Sequence, residues 1–554
     1  MSRYYGSEKV KGGCRVCGLA LLLGKRTFNL RTKRLSNKSF AVAVTGQASP
    51  DGTFFDPETA EKPRSSAREY DRLPVRIWDR YVTAEKNAIW YTRLEKHGNR
   101  YGVSSVGFVN ALHGTSTTGP VLRRRLRSLG IGILFTAIDP AANHSIILKN
   151  ELYYIPVQTY TEHPASPPHK VSIPNYDGTA SSPTFSPDGT SAAFLRTKEP
   201  GSDFDRPRIF LIRDTDDVED ITEITTSESW YLQPLSLTFS SDAETLYVTA
   251  KEGGRRKLFQ IPVPPASDEQ AGEEATLAAA PSPLTSWGSV SSVHAVSPAL
   301  LLLTLSSLTS NSVFITAHEL SRHTDYSSSH FAQRYPQVSD IQIPGAGPYD
   351  VHAFVVKPSS LSADDKMQKE KKKKRYPLLF RIHGGPQDSF LDERSTRWNP
   401  AVFAESRLRR RPPEPDRLHG LRAGLHRRRQ RRLDRDLVRC FNHVRATLDY
   451  ADTDRAVATG YSYGGYTVNW IAGPPAFAAR SRALVRHARI FGLTTLLSSN
   501  GSGRLAPRTA EGVGGPGPLA AHGRVDDADA GHPRRTGRSR RAWRRCGRGG
   551  VRGF

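Results

Sequence analysis

Residues 456–470, AVATGYSYGGYTVNW, hold the pattern that decides the fold of the C-terminal half. The apolar run at 456–459 is typical of a buried strand, and a helix is predicted from about Gly465. Gly460 and Gly464 flank the central serine and permit a cramped turn, because glycine has no Cβ. A strand, a tight turn that presents Ser462 and a helix together predict a nucleophile elbow.

A second motif lies upstream, where HGGP at 383–386 follows the apolar segment YPLLFRI. Glycine-rich backbone at the end of a strand can donate N–H groups to an oxyanion. The two motifs together favour an acyl-transfer site over a structural Ser-Gly turn. A nucleophilic serine also needs a histidine base and a carboxylate to orient it. Because α/β-hydrolases order these residues Ser, Asp, His, His383 and Gly384 are predicted to support the loop, with His383 not the base.

Short strands and turns repeat in the N-terminal half. SPDGT at 49–53 recurs at 186–190, where apolar segments flank a Pro-Asp-Gly turn. Looser copies follow at 235–250 and 290–305, with Phe239 54 positions after Phe185. A period of roughly 50 residues is typical of β-propeller blades, and the alternative is a sandwich with repeated hairpins.

The pattern changes near Val338. From there the sequence predicts an antiparallel strand pair, a buried strand, a helix, the elbow strand and a final helix. This order predicts an α/β layer. We therefore predict four regions. They are an N-terminal segment of uncertain order (1–65), a β-propeller-like domain (66–337), a partial α/β-hydrolase domain (338–499) that contains an aberrant Arg-rich segment (407–435), and an aberrant Arg/Gly-rich tail (500–554).

Several segments resemble the prolyl oligopeptidase family, and within it the fungal dipeptidyl-peptidase V branch. They are SAREYDRLPVRIWDRY (66–81), HGGPQDSF (383–390), STRWNPAVFAE (395–405) and the run from 436 to 473. The resemblance, with gaps, covers about 66–499, and its C-terminal motifs are the more specific. It implies a propeller followed by a hydrolase domain that removes short N-terminal units from peptides. It also implies Ser462 as nucleophile, the N–H groups of Tyr463 and Gly385 as oxyanion donors, and no cofactor or metal.

The chain departs from the family pattern after the serine. The family requires an aspartate and then a histidine, each at the end of a strand. Only Asp526, Asp527 or Asp529 followed by His532 have this order, and they lie in a Gly/Arg/Ala context without a strand pattern. We therefore predict that the triad is incomplete and that the chain as written, apparently truncated, is inactive.

Net charge is concentrated in two windows. Of the formal +25, residues 407–435 contribute +9 (12 Arg, 3 acidic) and residues 502–554 contribute +8 (12 Arg, 4 acidic), and neither window contains lysine. A one-base slip of the reading frame would explain such an Arg-only bias, and reading each window in the shifted frame permits the strand that the family places there. Both windows are predicted to be irregular, because a central strand favours Val and Ile over Arg and Pro. The alternative is a non-enzymatic Arg-rich protein that binds nucleic acid.

Composition restricts the remaining possibilities. Four cysteines in 554 residues do not suggest a disulfide framework, and Cys14 and Cys17 have no second pair with which to bind zinc. The apolar run at 18–24 is too short to span a bilayer. We expect a cytoplasmic chain with a peptide substrate and with no membrane or specific nucleic-acid partner. An acylaminoacyl-peptidase or esterase on the same scaffold remains an alternative, and the oligomeric state is not predicted.

Overall fold

A computed structural model describes residues 28–487 with internal gaps. The gaps are 62–63, 71–74, 78–79, 121–127, 130–131, 141–148, 201–204, 225–229, 265–280, 312, 318–335, 360, 362–374, 386–387, 406–414, 417–432 and 474–480. The CxxC pair, the apolar run at 18–24 and the Arg/Gly-rich tail lie outside the described residues. In the described part, no helix has the length and apolar character needed to cross a membrane, and no group of three or more potential metal ligands occurs.

Strands dominate the described residues. In chain order they are β1 Phe28–Arg34, β2 Ser39–Ala48, β3 Arg76–Ile77, β4 Arg80–Tyr81, β5 Lys86–His97, β6 Arg100–Val103, β7 Val109–Asn110, β8 Ser128–Leu129, β9 Gly132–Ile138, β10 Asn150–Pro156, β11 His169–Val171, β12 Ala180–Phe185, β13 Ala192–Arg196, β14 Arg208–Ile212, β15 Ile221–Glu223, β16 Pro234–Phe239, β17 Thr245–Glu252, β18 Arg255–Pro262, β19 Ser289–Ser297, β20 Leu300–Ser306, β21 Val313–Ala317, β22 Gln337–Pro344, β23 Asp350–Lys357, β24 Tyr376–Ile382, β25 Pro415–Asp416, β26 Ala451–Tyr461 and β27 Ser481–His487. The helices are α1 Pro400–Glu405, α2 Leu433–Thr447 and α3 Tyr463–Ile471.

Apart from the two-stranded sheet β3-β4, five antiparallel sheets follow one another along the described part of the chain. Their strand orders are β1-β2-β5-β6 with β7 beside β5, then β11-β10-β9-β8, β12-β13-β14-β15, β16-β17-β18 and β19-β20-β21. Almost every neighbour within a sheet is also a neighbour in the chain, as hairpin connections dictate. The strands of the first sheet include β1 and β2, which lie in the segment that the sequence prediction left without assigned order.

The predicted repeat corresponds to one hairpin in each of the last three antiparallel sheets. These hairpins are β12–β13, β16–β17 and β19–β20. The first two turns are alike in detail, because the backbone N–H groups of Ser186 and Ser240 donate to the carbonyl oxygens of Ser191 and Thr245, in both cases over 2.8 Å. The serine hydroxyls donate to Asp188 and Asp242, two residues along. The SPDGT pattern therefore marks a strand reversal, as predicted.

Consecutive antiparallel sheets pack face to face through alternating side chains. On β10, Tyr153 packs with the first sheet, whereas Leu152 and Tyr154 pack with the third. On β13, Phe194 faces back to the second sheet and Leu195 faces forward to the fourth. Because strand side chains alternate between faces, the second and third sheets are each buried on both sides. Strand pairing among the described residues does not join these sheets to one another.

One further sheet is mixed and has the order β22-β23-β25-β24-β26-β27. β22 and β23 are antiparallel, whereas β24, β26 and β27 run parallel. Helices α2 and α3 supply one apolar face, on which Phe441 and Val468 pack with Phe380 of β24. Helix α1 contributes Ala404 to a second cluster with Phe354 of β23. This is the α/β layer predicted from the alternation of strand and helix patterns.

Two details of the mixed sheet differ from the sequence prediction. The Arg-rich segment 407–435 was predicted to be irregular, yet Pro415–Asp416 within it form a short strand between β23 and β24. Position in the sheet thus overrides residue preference at these two residues. The final helix begins at Tyr463, two residues before the predicted start, because the sharp turn is completed at the serine itself.

Candidate active site

Ser462 occupies the junction of β26 and α3 in a strained backbone conformation. Its φ is 56° and its ψ is −121°. A positive φ is uncommon for residues other than glycine and persists only where the surroundings impose it. The residue is partly exposed, so its hydroxyl is not sunk in the core. The predicted nucleophile elbow is therefore formed, and the serine lies at its apex.

Backbone hydrogen bonds hold this turn from two sides. The Ser462 N–H donates to the His487 carbonyl oxygen at 3.2 Å, and the Tyr466 N–H donates to the Ser462 carbonyl oxygen at 3.1 Å. The first bond fixes the serine to the end of β27, and the second starts the hydrogen-bonding pattern of α3. Rotation of the serine backbone out of the strained region would break both bonds.

The HGG loop at 383–385 packs directly against the elbow. A Cβ added to Gly464 would lie 2.3 Å from the Ile382 carbonyl oxygen, and a Cβ added to Gly384 would lie 3.4 Å from Ser462 Cβ. Only glycine fits at position 464, because its own backbone touches the backbone of the loop. The structure thus brings together two motifs that are separated by about 80 residues in the sequence.

The two predicted oxyanion donors flank this contact. Gly385 is adjacent to Gly384 and has a φ of 125°, a conformation that favours glycine. Tyr463 is the first residue of α3, where N–H groups point out of the helix and the helix dipole favours negative charge. Their catalytic assignment stays a prediction, but both lie next to the serine turn.

His383 lies buried beneath the loop. Its Nδ1 is 2.7 Å from the Gly384 carbonyl oxygen, and its ring packs edge-on against Phe390 with centroids 6.0 Å apart. Such contacts suit the predicted supporting role. In the part of the chain that the structure describes, no histidine forms a hydrogen bond with the Ser462 hydroxyl. Asp526, Asp527, Asp529 and His532 lie outside the described residues.

A set of aromatic and cationic side chains surrounds the loop and the elbow, and the sequence reasoning missed it. The Arg381 guanidinium lies 4.4 Å from the Phe390 ring centroid, and its NH1 donates to the Trp398 carbonyl oxygen at 2.8 Å. The Trp398 ring meets His487 at 5.5 Å, and His487 lies 5.4 Å from Tyr461. Contiguous contacts therefore run from the HGG loop to the residue before the serine. The presence of both Arg and aromatic residues in 381–398 is the signal that could have indicated them.

Comparison with known proteins shows what this region of the chain is similar to. The sequence pattern of the prolyl oligopeptidase family matches residues 422–499, which include the elbow. Dipeptidyl-peptidase 5 of Aspergillus fumigatus is 29% identical over 489 residues, which cover 83% of this chain and 64% of that protein. Dipeptidyl-peptidase 5 of Arthroderma otae is 31% identical over 482 residues, which cover 80% of this chain and 61% of that protein. The chain thus spans less than two thirds of the length of these curated relatives.

Solved structures show a similar fold. The acylaminoacyl peptidase of Pyrococcus horikoshii superposes with a TM-score of 0.58 at 13% sequence identity, covering 89% of this chain and 70% of that one. An acylaminoacyl peptidase solved with Z-Gly-Gly-Phe-chloromethyl ketone superposes with a TM-score of 0.59 at 12% identity. At such low identity the likeness concerns the fold alone.

Proposed function

We propose that the chain is a member of the prolyl oligopeptidase family, whose pattern matches residues 422–499, and that it carries a serine-peptidase acyl-transfer site with Ser462 as the nucleophile. The observation that carries this proposal is the positive φ of Ser462 at an apex against which the HGG loop packs. A structural Ser-Gly turn has no need of such strain beside a second glycine-rich backbone. Strain of this kind is found preferentially at functional sites.

In the proposed reaction, Ser462 Oγ attacks the carbonyl carbon of a peptide bond while its proton passes to a base. The N–H groups of Gly385 and Tyr463 donate to the oxygen that becomes negative, and preorganised donors of this kind are worth about 3 to 4 kcal/mol each. The amine leaves with a proton, and water then hydrolyses the acyl-enzyme. We assign no described residue as the base, because His383 contacts Gly384 instead. We therefore propose, as the sequence predicts, that the chain as written turns over peptides very poorly.

The substrate class follows from the relatives. We propose that the site takes short peptides from their N-termini, because the curated relatives are dipeptidyl-peptidases at 29% and 31% identity. We further propose that the five antiparallel sheets are blades of a β-propeller. Their order along the chain and their face-to-face packing support this arrangement, as does the family to which the hydrolase-like region belongs.

Covalent labelling of the full-length chain tests the nucleophile. A fluorophosphonate probe is added, and each modified serine is identified by mass spectrometry. Enzymes that lack a triad member retain about 10³ to 10⁴-fold catalysis from the oxyanion hole and binding. Ser462 is therefore expected to react slowly but well ahead of the other serines, and Ser462→Ala should remove the label. Labelling of Ser462 at the rate of the other serines would refute the acyl-transfer assignment.

The substrate class needs a second experiment. In a chain with both Arg-rich windows restored to the alternative reading frame, a dipeptidyl amide, an acetylated amino-acid amide and a simple ester are compared by kcat/KM. The proposal expects the dipeptidyl amide to be preferred. Preference for the acetylated substrate or the ester would replace it with an acylaminoacyl-peptidase or esterase. Equal turnover by frame-restored Ser462→Ala would refute both.

A further inference from the structure

A basic hairpin of the fourth antiparallel sheet faces a row of carboxylates from the mixed-sheet region. The hairpin consists of the end of β17, Gly253, Gly254 and the start of β18. Four ion pairs cross between the two regions. Lys251 Nζ lies 2.6 Å from Asp388 Oδ1, and Arg256 NH2 lies 3.3 Å from Glu393 Oε2. Arg255 pairs with two carboxylates, through NH2 at 2.9 Å from Asp340 Oδ2 and through Nε at 3.7 Å from Asp392 Oδ2. Three of the four carboxylates belong to residues 388–394, named here the anchor segment.

Hydrogen bonds also hold the same segment to the antiparallel sheets. The Asp392 N–H donates to the Gly254 carbonyl oxygen at 2.7 Å. Asp392 Oδ1 accepts the Leu308 N–H at 2.8 Å, and the Arg394 N–H donates to the Ser306 hydroxyl at 3.1 Å. Groups from two different antiparallel sheets therefore hydrogen-bond to the anchor segment. Lys251 forms an ion pair with its first residue, Asp388.

The anchor segment follows the HGG loop in the chain after residues 386–387, which lie outside the described residues. Asp388 is three residues after Gly385, and Phe390 contacts both His383 and Arg381. At its other end the loop meets the elbow through Gly384. The loop that bears the candidate oxyanion donor is thus held between the elbow on one side and the basic hairpin on the other.

We propose that Lys251 is a positioning residue for the acyl-transfer site, which acts through Asp388 to hold the loop that presents the Gly385 N–H. This inference rests on the proposed function. Lys251 touches no reacting atom, and its role is to restrict the loop to the conformation in which the N–H can meet an oxyanion. Such donors must be in place before the transition state forms, so a looser loop weakens the chemical step.

The ion pair also has local electrostatic support. Partial desolvation by itself would raise the pKa of Asp388, but the Lys251 charge, its hydrogen bond and the Ser389 N–H lower it below the usual value. The Asp388 side chain is 61% exposed, so solvent screens the pair strongly. An exposed pair of this kind changes an equilibrium by about two- to fivefold. That factor sets the size of the expected effect.

The test uses the full-length chain and two lysines of the same hairpin. Lys251→Met removes the pair with Asp388. Lys257→Met is the matched control, because Lys257 pairs at 2.7 Å with Glu252 inside the hairpin and does not contact the anchor segment. Amide hydrogen exchange over 383–390 is expected to speed up by about two- to fivefold in Lys251→Met and to stay unchanged in Lys257→Met. Lys251→Arg should restore the exchange rate of the parent.

A second readout separates positioning from general stability. The rate of fluorophosphonate labelling at Ser462 is split into the affinity of the first complex and the rate of the covalent step. Lys251→Met should slow the covalent step by about two- to fivefold and leave the affinity unchanged. The swapped pair Lys251→Asp with Asp388→Lys should recover much of the loss. Identical exchange and labelling in Lys251→Met and the parent would overturn the proposal.

The two proposals fail differently. If Ser462 of the parent chain is not labelled selectively, the acyl-transfer function fails, whereas faster exchange over 383–390 would still show that Lys251 holds the loop. If Ser462 is labelled and Lys251→Met changes neither readout, the function stands and the positioning role is wrong.

Discussion

The antiparallel sheets and the mixed sheet differ in how far apart in sequence their paired strands lie. In the antiparallel region, strands that are adjacent in the chain pair through short turns, and each sheet packs on the next. In the mixed sheet, β25 lies between β23 and β24, so strand neighbours are distant in sequence. The first arrangement depends on local turns that repeat, whereas the second depends on contacts that only the complete fold provides.

This difference bears on the Arg-rich segment 407–435, because the short strand β25 within it is an inner strand of the mixed sheet. An antiparallel hairpin pairs only with strands of its own sheet, but an inner strand of a parallel sheet is covered on both faces and supports both neighbours. The described part of β25, Pro415–Asp416, meets β23 and β24 in a sheet whose other inner strands are seven residues or longer. Even so, the elbow on β26 forms, because β24 and β26 pair directly over seven residues.

The largest effect is expected from truncation of one core aromatic side chain in each region. Phe194 stacks on Phe210 in the antiparallel region, and Phe380 meets Phe441 edge-on in the mixed sheet. Phe194→Ala and Phe380→Ala are each expected to cost about 3 to 5 kcal/mol through lost burial and a cavity. Hydrogen exchange should report the loss in the mutated region, and only Phe380→Ala should slow the labelling of Ser462. Equal loss of protection in both regions would show that they unfold as one unit.

The next largest effect is expected from a substitution at the contact between the HGG loop and the elbow. Gly464→Ala would place a methyl group 2.3 Å from the Ile382 carbonyl oxygen, so the two backbones must separate at a cost of about 1 to 3 kcal/mol. Gly102→Ala is the control in the antiparallel region, where the nearest atom lies 3.6 Å away in the His97 side chain. Gly464→Ala alone is expected to lower the free energy of unfolding in urea and to slow the labelling of Ser462. An unchanged labelling rate in Gly464→Ala would mean that the loop does not form part of the site.

The repeated turns give a smaller effect that should be the same in two sheets. Ser186→Ala and Ser240→Ala each remove a buried hydroxyl that accepts the N–H of the residue five positions on. Each is expected to cost about 1 kcal/mol in urea unfolding. Ser291→Ala, at an exposed position on β19, should lie within about 0.5 kcal/mol of the parent. Clearly different costs for the two buried serines would show that the turns are not equivalent.

The smallest expected effect depends on pH and lies between the two regions. Burial alone would raise the pKa of Asp340, but hydrogen bonds from His352 and Arg255 and the Arg255 charge lower it far below the usual range. Since the folded-state pKa is depressed, the stabilisation is complete above the unfolded value of about 3.9 and is lost as pH falls toward the folded value. Asp340 is 36% exposed, so Asp340→Asn should cost no more than about 1 kcal/mol at pH 7.

Unfolding of the parent and Asp340→Asn is compared at pH 7 and at successively lower pH. The difference in free energy of unfolding should shrink below about pH 4. Asp392, which lies 3.7 Å from Arg255, faces the same guanidinium and provides the companion variant Asp392→Asn. A constant difference between the parent and Asp340→Asn across the range would show that the Asp340 charge is not the source of the stabilisation.

Local signals were sufficient for many elements. The apolar spacing of Leu437, Phe441 and Val444 predicts a helix, and α2 carries these three residues on its buried face. The hairpins at 186–190 and 235–250 follow from turn residues between apolar segments. The prediction missed β1 and β2, although Ser36 and Asn37 between them are residue types that favour turns. The strand at Pro415–Asp416 could not be predicted either, because its residues do not favour a strand.

The sequence by itself determined the elbow and the repeated turns, because glycine, serine and aspartate act on the few bonds around them. Only the tertiary structure decided that Gly464 touches the backbone of the HGG loop and that Lys251 meets Asp388, 137 residues away. Neither residue type announces its partner, since a glycine permits many close approaches and a lysine can pair with any carboxylate. The packing of sheets and helices selects one partner for each by bringing distant backbones within a few ångströms.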